Sequence, residues 1–388
     1  MRELIKNLTC KNIGMAFVFM LVNVCSVVVV TQIMGLNIPL ALLMCGINTI
    51  LFNIITKTKL CSFIGISGLY ISGILLISEK YSPSYAMGGV IMSGILYIIF
   101  GLIMIKWQDK VLKYFPKYIL SFAIVLIGLG LIPISTNLIS SNLTLGLLTL
   151  LIMVILEFKL KGTSRLFSMA IAIGIVYIGN GLINGFTFTE VQHLEFIMPQ
   201  FNLESFLTIS IVSFAVVFEA IGDVKNLGDI MNIDILKEKG MLGRILIANG
   251  IGSILNGSFG SASATTYSEN ASALLITKYR NKYMQFINGF IFMLLAFFTP
   301  FTSLILSIDT SIFGGVLLFL YGSVVINAIK QVTESGIKLD SKKPFIVMSV
   351  GLGIFFINFT ISGVSISSIA ISMFVMVVMN AILKDEVI

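Results

Sequence analysis

Fourteen apolar runs, most of them close to the roughly 20 residues that span a bilayer as helix, leave this chain one class of fold. A segment of that length and polarity has no aqueous surface to offer. The rest of the chain is short connections between such runs, with no stretch long enough for a soluble domain. Charged residues make up only 11% of the 388, less than half the usual share of a soluble domain, and mean hydropathy is +1.03. The chain reads as a polytopic all-α membrane protein.

The spans fall near 14–34, 36–55, 62–78, 86–105, 118–136, 142–157, 166–186, 205–223, 243–257, 262–277, 284–306, 311–330, 344–360 and 365–383. The first is longer than the apolar core of a secretory signal and lacks a convincing cleavage site, so it is kept as a span. Alternating the spans across a bilayer sorts the loops into two sets. Of the 25 Lys and Arg, all but Lys80 fall in one set, which contains both chain ends. Cytoplasmic loops carry the excess of Lys and Arg, so both termini are expected in the cytoplasm and the protein in the cell membrane. The net charge of +7 is therefore a topology signal. No basic stripe interleaved with aromatics suggests a nucleic acid.

Fourteen spans divide near 187–204 into seven and seven. An odd repeat forces the second half to start from the opposite side, the geometry of inverted-repeat transporters. Two segments at the third position of each half carry the same signal. "FIGISGLYISG", Phe63 to Gly73, and "FGSASATTYS", Phe259 to Ser268, are rich in small residues and reach a Tyr before an apolar helix. Such interrupted pairs point to a binding site at mid-membrane, where irregular backbone survives only under cover of protein or beside a cavity. Close helix packing on small residues is the alternative.

Ionisable residues inside spans mark substrate or proton paths. Glu219 and Asp223 lie four apart in "FEAIGD" and share a helix face; Glu269 stands with Asn270 in "TTYSENASALLITK". Each has a plainer reading: Asp223 at the membrane surface near Lys225, Glu219 on a solvated face, Glu269 in a capping box begun by Thr266. A carboxylate beside a helix N-terminus makes an edge of acceptors and donors, which suits a small planar solute with ring N–H and C=O groups. The four cysteines form no C-x-x-C, the single histidine is His193, and the spans contain no nucleophile–base or metal-ligand set, so no cofactor, metal or enzyme activity is expected.

These residues resemble the nucleobase–ascorbate transporter family, which includes the uracil and xanthine permeases. Glu269-Asn270-Ala271-Ser272, then four residues, then Thr277-Lys278, is similar to its signature [Q/E/P]-N-x-G-x-x-x-x-T-[R/K/G] except for Ser272 in place of Gly. "GSASATTYSEN", "FEAIGD", "FPKYILSFAIVLIGLGLIP" and "FIGISGLYI" resemble further elements in the same order. The resemblance implies short strands interrupting spans 3 and 10. It implies a core domain of residues 1–115 and 205–307, and a gate domain of 116–204 and 308–388. It also implies dimers and an elevator-like rocking of core against gate. By position, Glu219 and Glu269 would bond the base, Ser268 would offer a backbone contact, and Tyr70 would stack on the ring. Asp223 would serve proton coupling, with Asn249, Asn270 and Thr266 around the site. The departures are Ser263, Ser272 and Asn249, and a first span without the family's Gln-His pair. Glu269 is similar to the uracil carriers and Asp223 to the purine type. The expectation is a proton-coupled nucleobase importer (Na⁺ in place of H⁺ left open), with uracil slightly favoured over xanthine. A same-fold carrier of another planar solute or an anion, or a channel-like member, is the alternative.

Overall fold

The computed structural model describes residues 9–112, 116–186, 191–210, 212–235, 237–281, 283–334, 341–357, 359–361, 364–366 and 368–383. The basic residues Arg2, Lys6, Lys113, Lys282, Lys338 and Lys384, used above for topology, lie outside them, as do the Ser268 and Ser272 side chains.

The first half runs α1 (Cys10–Ile33), α2 (Ile38–Ile55), β1 (Ile64–Ile66), a 3₁₀ turn (Gly68–Tyr70), α3 (Ile71–Lys80), α4 (Pro83–Leu112), α5 (Lys117–Ser141), α6 (Leu143–Lys159), a second 3₁₀ turn (Gly162–Phe167) and α7 (Ser168–Asn184). The second half opens with a helical turn and a π-helical turn over Leu203–Ser210. It continues with α8 (Val212–Met231), α9 (Met241–Phe259), β2 (Ala264–Thr266), α10 (Ser268–Thr277), α11 (Met284–Ala296), α12 (Thr299–Leu306), α13 (Thr310–Glu334) and α14 (Lys342–Phe355). The strands β3 (Phe359–Ile361) and β4 (Val364–Ile366) and the helix α15 (Ser368–Ile382) complete it. Among the described residues seven helices are long and apolar enough to cross a bilayer; α11 and α12, bent by 77° at their junction, make an eighth if taken as one span. Large apolar side chains such as Leu102, Leu151, Ile178 and Leu294 stand exposed along these helices, as lipid-facing surfaces require.

One expectation needs correcting. Residues 359–360 and 365–366 were read as helix, but β3 and β4 pair there antiparallel, Phe359 opposite Ile366 and Ile361 opposite Val364. Aromatic and β-branched residues on either side of a Ser-Gly dipeptide favour a strand pair over two helix ends.

β1 and β2 pair antiparallel at the centre, Ile64 opposite Thr266 and Ile66 opposite Ala264, and Ser67 N–H donates to Ser263 O at 2.9 Å. Each strand is anchored in the same way by the helix before it. The Thr49 hydroxyl of α2 accepts from Ile64 N at 3.0 Å, and Asn53, one turn on, donates to Ser62 O at 3.1 Å. The Ser253 hydroxyl of α9 accepts from Ala264 N at 3.0 Å, and Asn256 donates to Ala262 O at 2.6 Å. A hydroxyl on the first strand N–H and an amide on the carbonyl two residues earlier recur in both halves. Buried backbone without a helical partner needs such partners. Asn48 Nδ2 then donates to Asn256 Oδ1 at 2.8 Å, which ties the two anchors together.

Glycines let the helices around these strands approach closely. α4 and α9 run antiparallel with Gly94 against Gly250 and Gly101 against Gly243. A Cβ at Gly250 would stand 2.7 Å from Gly94 O. The seven-residue spacing on both helices keeps the small faces in register over two heptads.

Residues 191–202 lie along one end of this core as an irregular strap. Asn37 Nδ2 donates to His193 O at 2.8 Å, Ile197 N–H to Phe259 O at 3.1 Å, and Gln200 N–H to Ser84 O at 2.9 Å. At its end Lys80 bonds both oxygens of Glu204, at 2.7 and 2.9 Å, and Tyr81 donates to the same carboxylate at 2.6 Å. Lys80 and Tyr81 hold the Glu204 carboxyl below its ordinary value of 4.5, and Glu204 holds the Lys80 ammonium above its own. The carboxylate's contribution is thus present above its ordinary value and fades as pH falls through the lowered one. That of Lys80 is complete below its ordinary value and fades only as strongly alkaline pH rises through the raised one. Glu204→Gln should cost a small amount of thermal stability at neutral pH. The gap to the parent protein should close below about pH 4 and narrow in high salt. Thermal midpoints of the two purified proteins against pH decide this.

Candidate functional site

The two strands bring two helix N-termini together: the 3₁₀ turn leading into α3 after β1, and α10 after β2. Tyr267 precedes α10 and gives its first turn no side-chain cap. The Tyr267 hydroxyl instead clamps the neighbouring strand, accepting from Ile66 N at 3.2 Å and donating to Ile66 O at 2.9 Å. Its ring leaves no room for a side chain at Gly65, where a Cβ would come within 2.2 Å of Tyr267 Cζ.

α8 passes these ends and presents its acidic face. The Glu219 carboxyl lies against Ser67, next to the first helix start, and Thr265 of β2, and it interacts with Glu269 of α10. One turn on, Asp223 Oδ2 accepts from the Thr266 hydroxyl at 3.3 Å. α8 continues to Met231, so Asp223 sits within the helix and against β2, not at a free end. Thr266 is therefore turned to Asp223, and the capping box between Thr266 and Glu269 does not form.

Glu269 is held from another direction. Ser26 of α1, 5% exposed, donates from Oγ to Glu269 Oε1 at 2.9 Å. From α13 comes Tyr321, which interacts electrostatically with both Glu269 and Glu219. Its hydroxyl lies 3.7 Å from the position of a Cβ on Gly68, at the start of the 3₁₀ turn. Among the described residues Tyr321 Oη, Glu219 Oε2, Ser67 Oγ and Thr265 Oγ1 are buried without a hydrogen bond of good geometry, Ser67 and Thr265 lying against the Glu219 carboxyl. Further such atoms lie elsewhere, among them Asn23 Oδ1 and Asn249 Oδ1. At these helix starts a small ligand with several donors and acceptors would satisfy the group.

Other expected site residues are used by the fold. Tyr70 is wholly buried and its hydroxyl is bonded to Ser93 of α4. Asn270 points away from the carboxylates: Nδ2 donates to Cys61 O at 2.6 Å and Oδ1 accepts from Gln285 Nε2 at 2.6 Å, which fixes α10 to the segment before β1 and to α11. Asn249 is buried one turn before Ser253, whose hydroxyl bonds to its carbonyl at 2.8 Å, and its amide atoms have no partner among the described residues. Ser268 starts α10 beside Glu269. Sequence reasoning missed Ser26 and Tyr321. A single hydroxyl in "VCSVVVV" and a Tyr in "LFLYGSVV" carry no pattern that separates them from ordinary span residues.

A cavity of about 990 Å³ opens onto Glu269. Its walls are Leu21 and Val22 of α1, Leu275 and Ile276 of α10, Met153 of α6 and the Leu318–Asn327 face of α13. It reaches the α6–α7 connection, where Glu157 accepts from Arg165 and, at 2.9 Å, from Ser168. The wall is mainly apolar, with Ser323 and Asn327 of α13 among its polar members.

The permease family, Xan_ur_permease, matches residues 11–361. The chain belongs to that family. It is 27% identical to a uracil permease of Bacillus subtilis over 93% of this chain and 89% of that one. It is 25% identical to the putative pyrimidine permease RutG of Escherichia coli K12, over 92% and 86%. These relatives are permeases, not enzymes, and this permease is a multi-pass membrane protein. Among solved structures it is similar to the transmembrane domain of the cyanobacterial bicarbonate transporter BicA, with TM-score 0.64 and 13% identity, covering 95% of this chain and 97% of that one. Murine Slc26a9, an anion transporter in the inward-facing state, gives TM-score 0.70 at 10% identity, with 96% of this chain on 67% of the longer one. At these identities the likeness is one of fold.

Proposed function

We propose that this permease imports a nucleobase, uracil ahead of xanthine, in symport with protons. The observation that carries the reading is that Glu219 of α8 and Glu269 of α10 interact beside the ends of β1 and β2, with the Ser67, Thr265 and Tyr321 hydroxyls around them. A pyrimidine offers ring N–H groups to carboxylates and carbonyls to hydroxyl and backbone N–H donors, and its edge is small enough to lie between two helix starts. Uracil permeases and a pyrimidine permease among the relatives agree with this chemistry. Asp223, bonded to Thr266 beside the substrate carboxylates, is the group proposed to exchange the coupled proton.

The fold is read as fourteen spans in two inverted repeats of seven. The recurrence of the Thr49–Asn53 anchor as Ser253–Asn256 supports that reading. Spans 1–4 and 8–11 then form the core (1–115, 205–307) and the remainder the gate (116–204, 308–388). The cavity runs between core helices α1 and α10 and gate helices α6 and α13, as an inward-open stage of an elevator-like cycle requires. The protein would work as a homodimer in the cell membrane with both termini in the cytoplasm.

Uptake of radiolabelled uracil in nucleobase-uptake-deficient bacteria tests the function. Uptake that xanthine competes with weakly and that a protonophore abolishes is expected; no uptake of either base from inserted protein rejects it. The access path is tested separately. Leu275 is 61% exposed on the cavity wall. In a variant lacking the four native cysteines, Leu275→Cys should react with a membrane-impermeant maleimide in inside-out vesicles and stay protected in right-side-out ones. The reverse pattern would overturn the orientation.

A further inference from the structure

We infer that Ser26 is a positioning residue for substrate binding: its hydroxyl holds the Glu269 carboxyl in place for the base. This rests on the reading of Glu269 as a substrate group. Hydroxyls within apolar helices usually bond to their own backbone one turn back. α1 itself shows the pattern, with Thr31 Oγ1 on Val27 O at 2.6 Å. Ser26 leaves its helix and reaches a residue 243 positions away in the chain.

A serine hydroxyl can donate to an ionised carboxyl and accept from a protonated one, so Ser26 can stay bonded to Glu269 in either state. The bond fixes the position and the plane of the carboxyl that would meet the base. α1 packs on both α10 and β1, so the bond also joins the first-half strand to the second-half helix that carries Glu269.

The test compares Ser26→Ala, Ser26→Thr and Ser26→Val at matched abundance in the membrane. Thr and Val have the same shape and differ in the hydroxyl, so this pair isolates the bond if Ala fails to fold. Ser26→Val and Ser26→Ala should raise the uracil KM about tenfold with kcat changed less than twofold, the loss expected for one hydrogen bond to a charged group. Ser26→Thr should return KM to within about twofold of the parent. In parallel, the infrared carboxyl band that disappears in Glu269→Gln should move in Ser26→Val and hold its place in Ser26→Thr. Equal KM values for the Thr and Val forms, or a band that does not move, would overturn the inference. If the parent protein transports no uracil, the substrate reading fails, and the infrared band still decides whether Ser26 governs Glu269.

Discussion

Glu269→Gln is expected to reduce uracil uptake by one to two orders of magnitude at matched protein abundance, and Glu219→Gln to do the same. Each carboxylate meets the substrate by a hydrogen bond to a charged group, worth about 1.5–3 kcal/mol, and a factor of ten corresponds to about 1.4 kcal/mol. The amide keeps the size of the side chain but replaces one acceptor oxygen with a donor. At Glu269 one oxygen accepts from Ser26, whose hydroxyl can turn to suit an amide, so the loss falls on the acceptor that would meet the ring N–H. At Glu219 the carboxyl stands beside the Ser67 and Thr265 hydroxyls, which can turn to suit an amide, so the folded state should tolerate the change well. Thermal midpoints close to the parent, with uptake collapsed in both variants, are the expected pair of results. Unchanged uptake in either variant would remove that residue from the site.

Gly250→Val should cost about 3 kcal/mol or more of stability and remove most folded protein from the membrane, without touching the site. Overpacking a tight contact costs about 1–3 kcal/mol where side chains can give way. Here the obstacle is backbone: a Cβ at Gly250 would stand 2.7 Å from Gly94 O and 3.0 Å from Ile98 N. Relief requires α4 and α9 to separate, and α9 carries Ser253 and Asn256, which anchor β2. The loss should therefore reach the substrate site indirectly, through the strand that positions Glu269. Gly322→Val is the control, since a Cβ there meets nothing within 4 Å. Detergent-solubilised protein recovered as a single species, with its thermal midpoint, separates the two. Comparable recovery of both would show that the α4–α9 approach can widen at little cost.

Much of the site's location is legible in the primary structure, and little of its wiring. "FIGISGLY" and "FGSASATTY" announce two interrupted segments because Gly and Ser are poor helix formers and, with Ala, permit close approach, and the structure places short paired strands at both. "FEAIGD" announces an acidic helix face from spacing alone. Thr266 shows the limit of such reasoning. The local T-x-x-E pattern suggests a bond within the segment, whereas the hydroxyl finds Asp223, 43 residues earlier in the chain. Asn270 is similar: its place beside Glu269 suggests a site residue, and packing turns it to Cys61 and Gln285.

What the sequence determined by itself is the membrane class, the positions of the apolar segments, and the three carboxylates placed among them. Those follow from runs of about 20 residues and from the cost of burying charge, both of which act along the chain and need no knowledge of neighbours. What only the tertiary structure decided is which groups face one another. Ser26 meets Glu269 across 243 residues, and Tyr321 of α13 interacts electrostatically with two carboxyls from α8 and α10. The passage to Glu269 lies between helices from both halves of the chain. Side-chain partners are chosen by how helices pack, and a hydroxyl in an apolar span takes whichever acceptor that packing brings within about 3 Å.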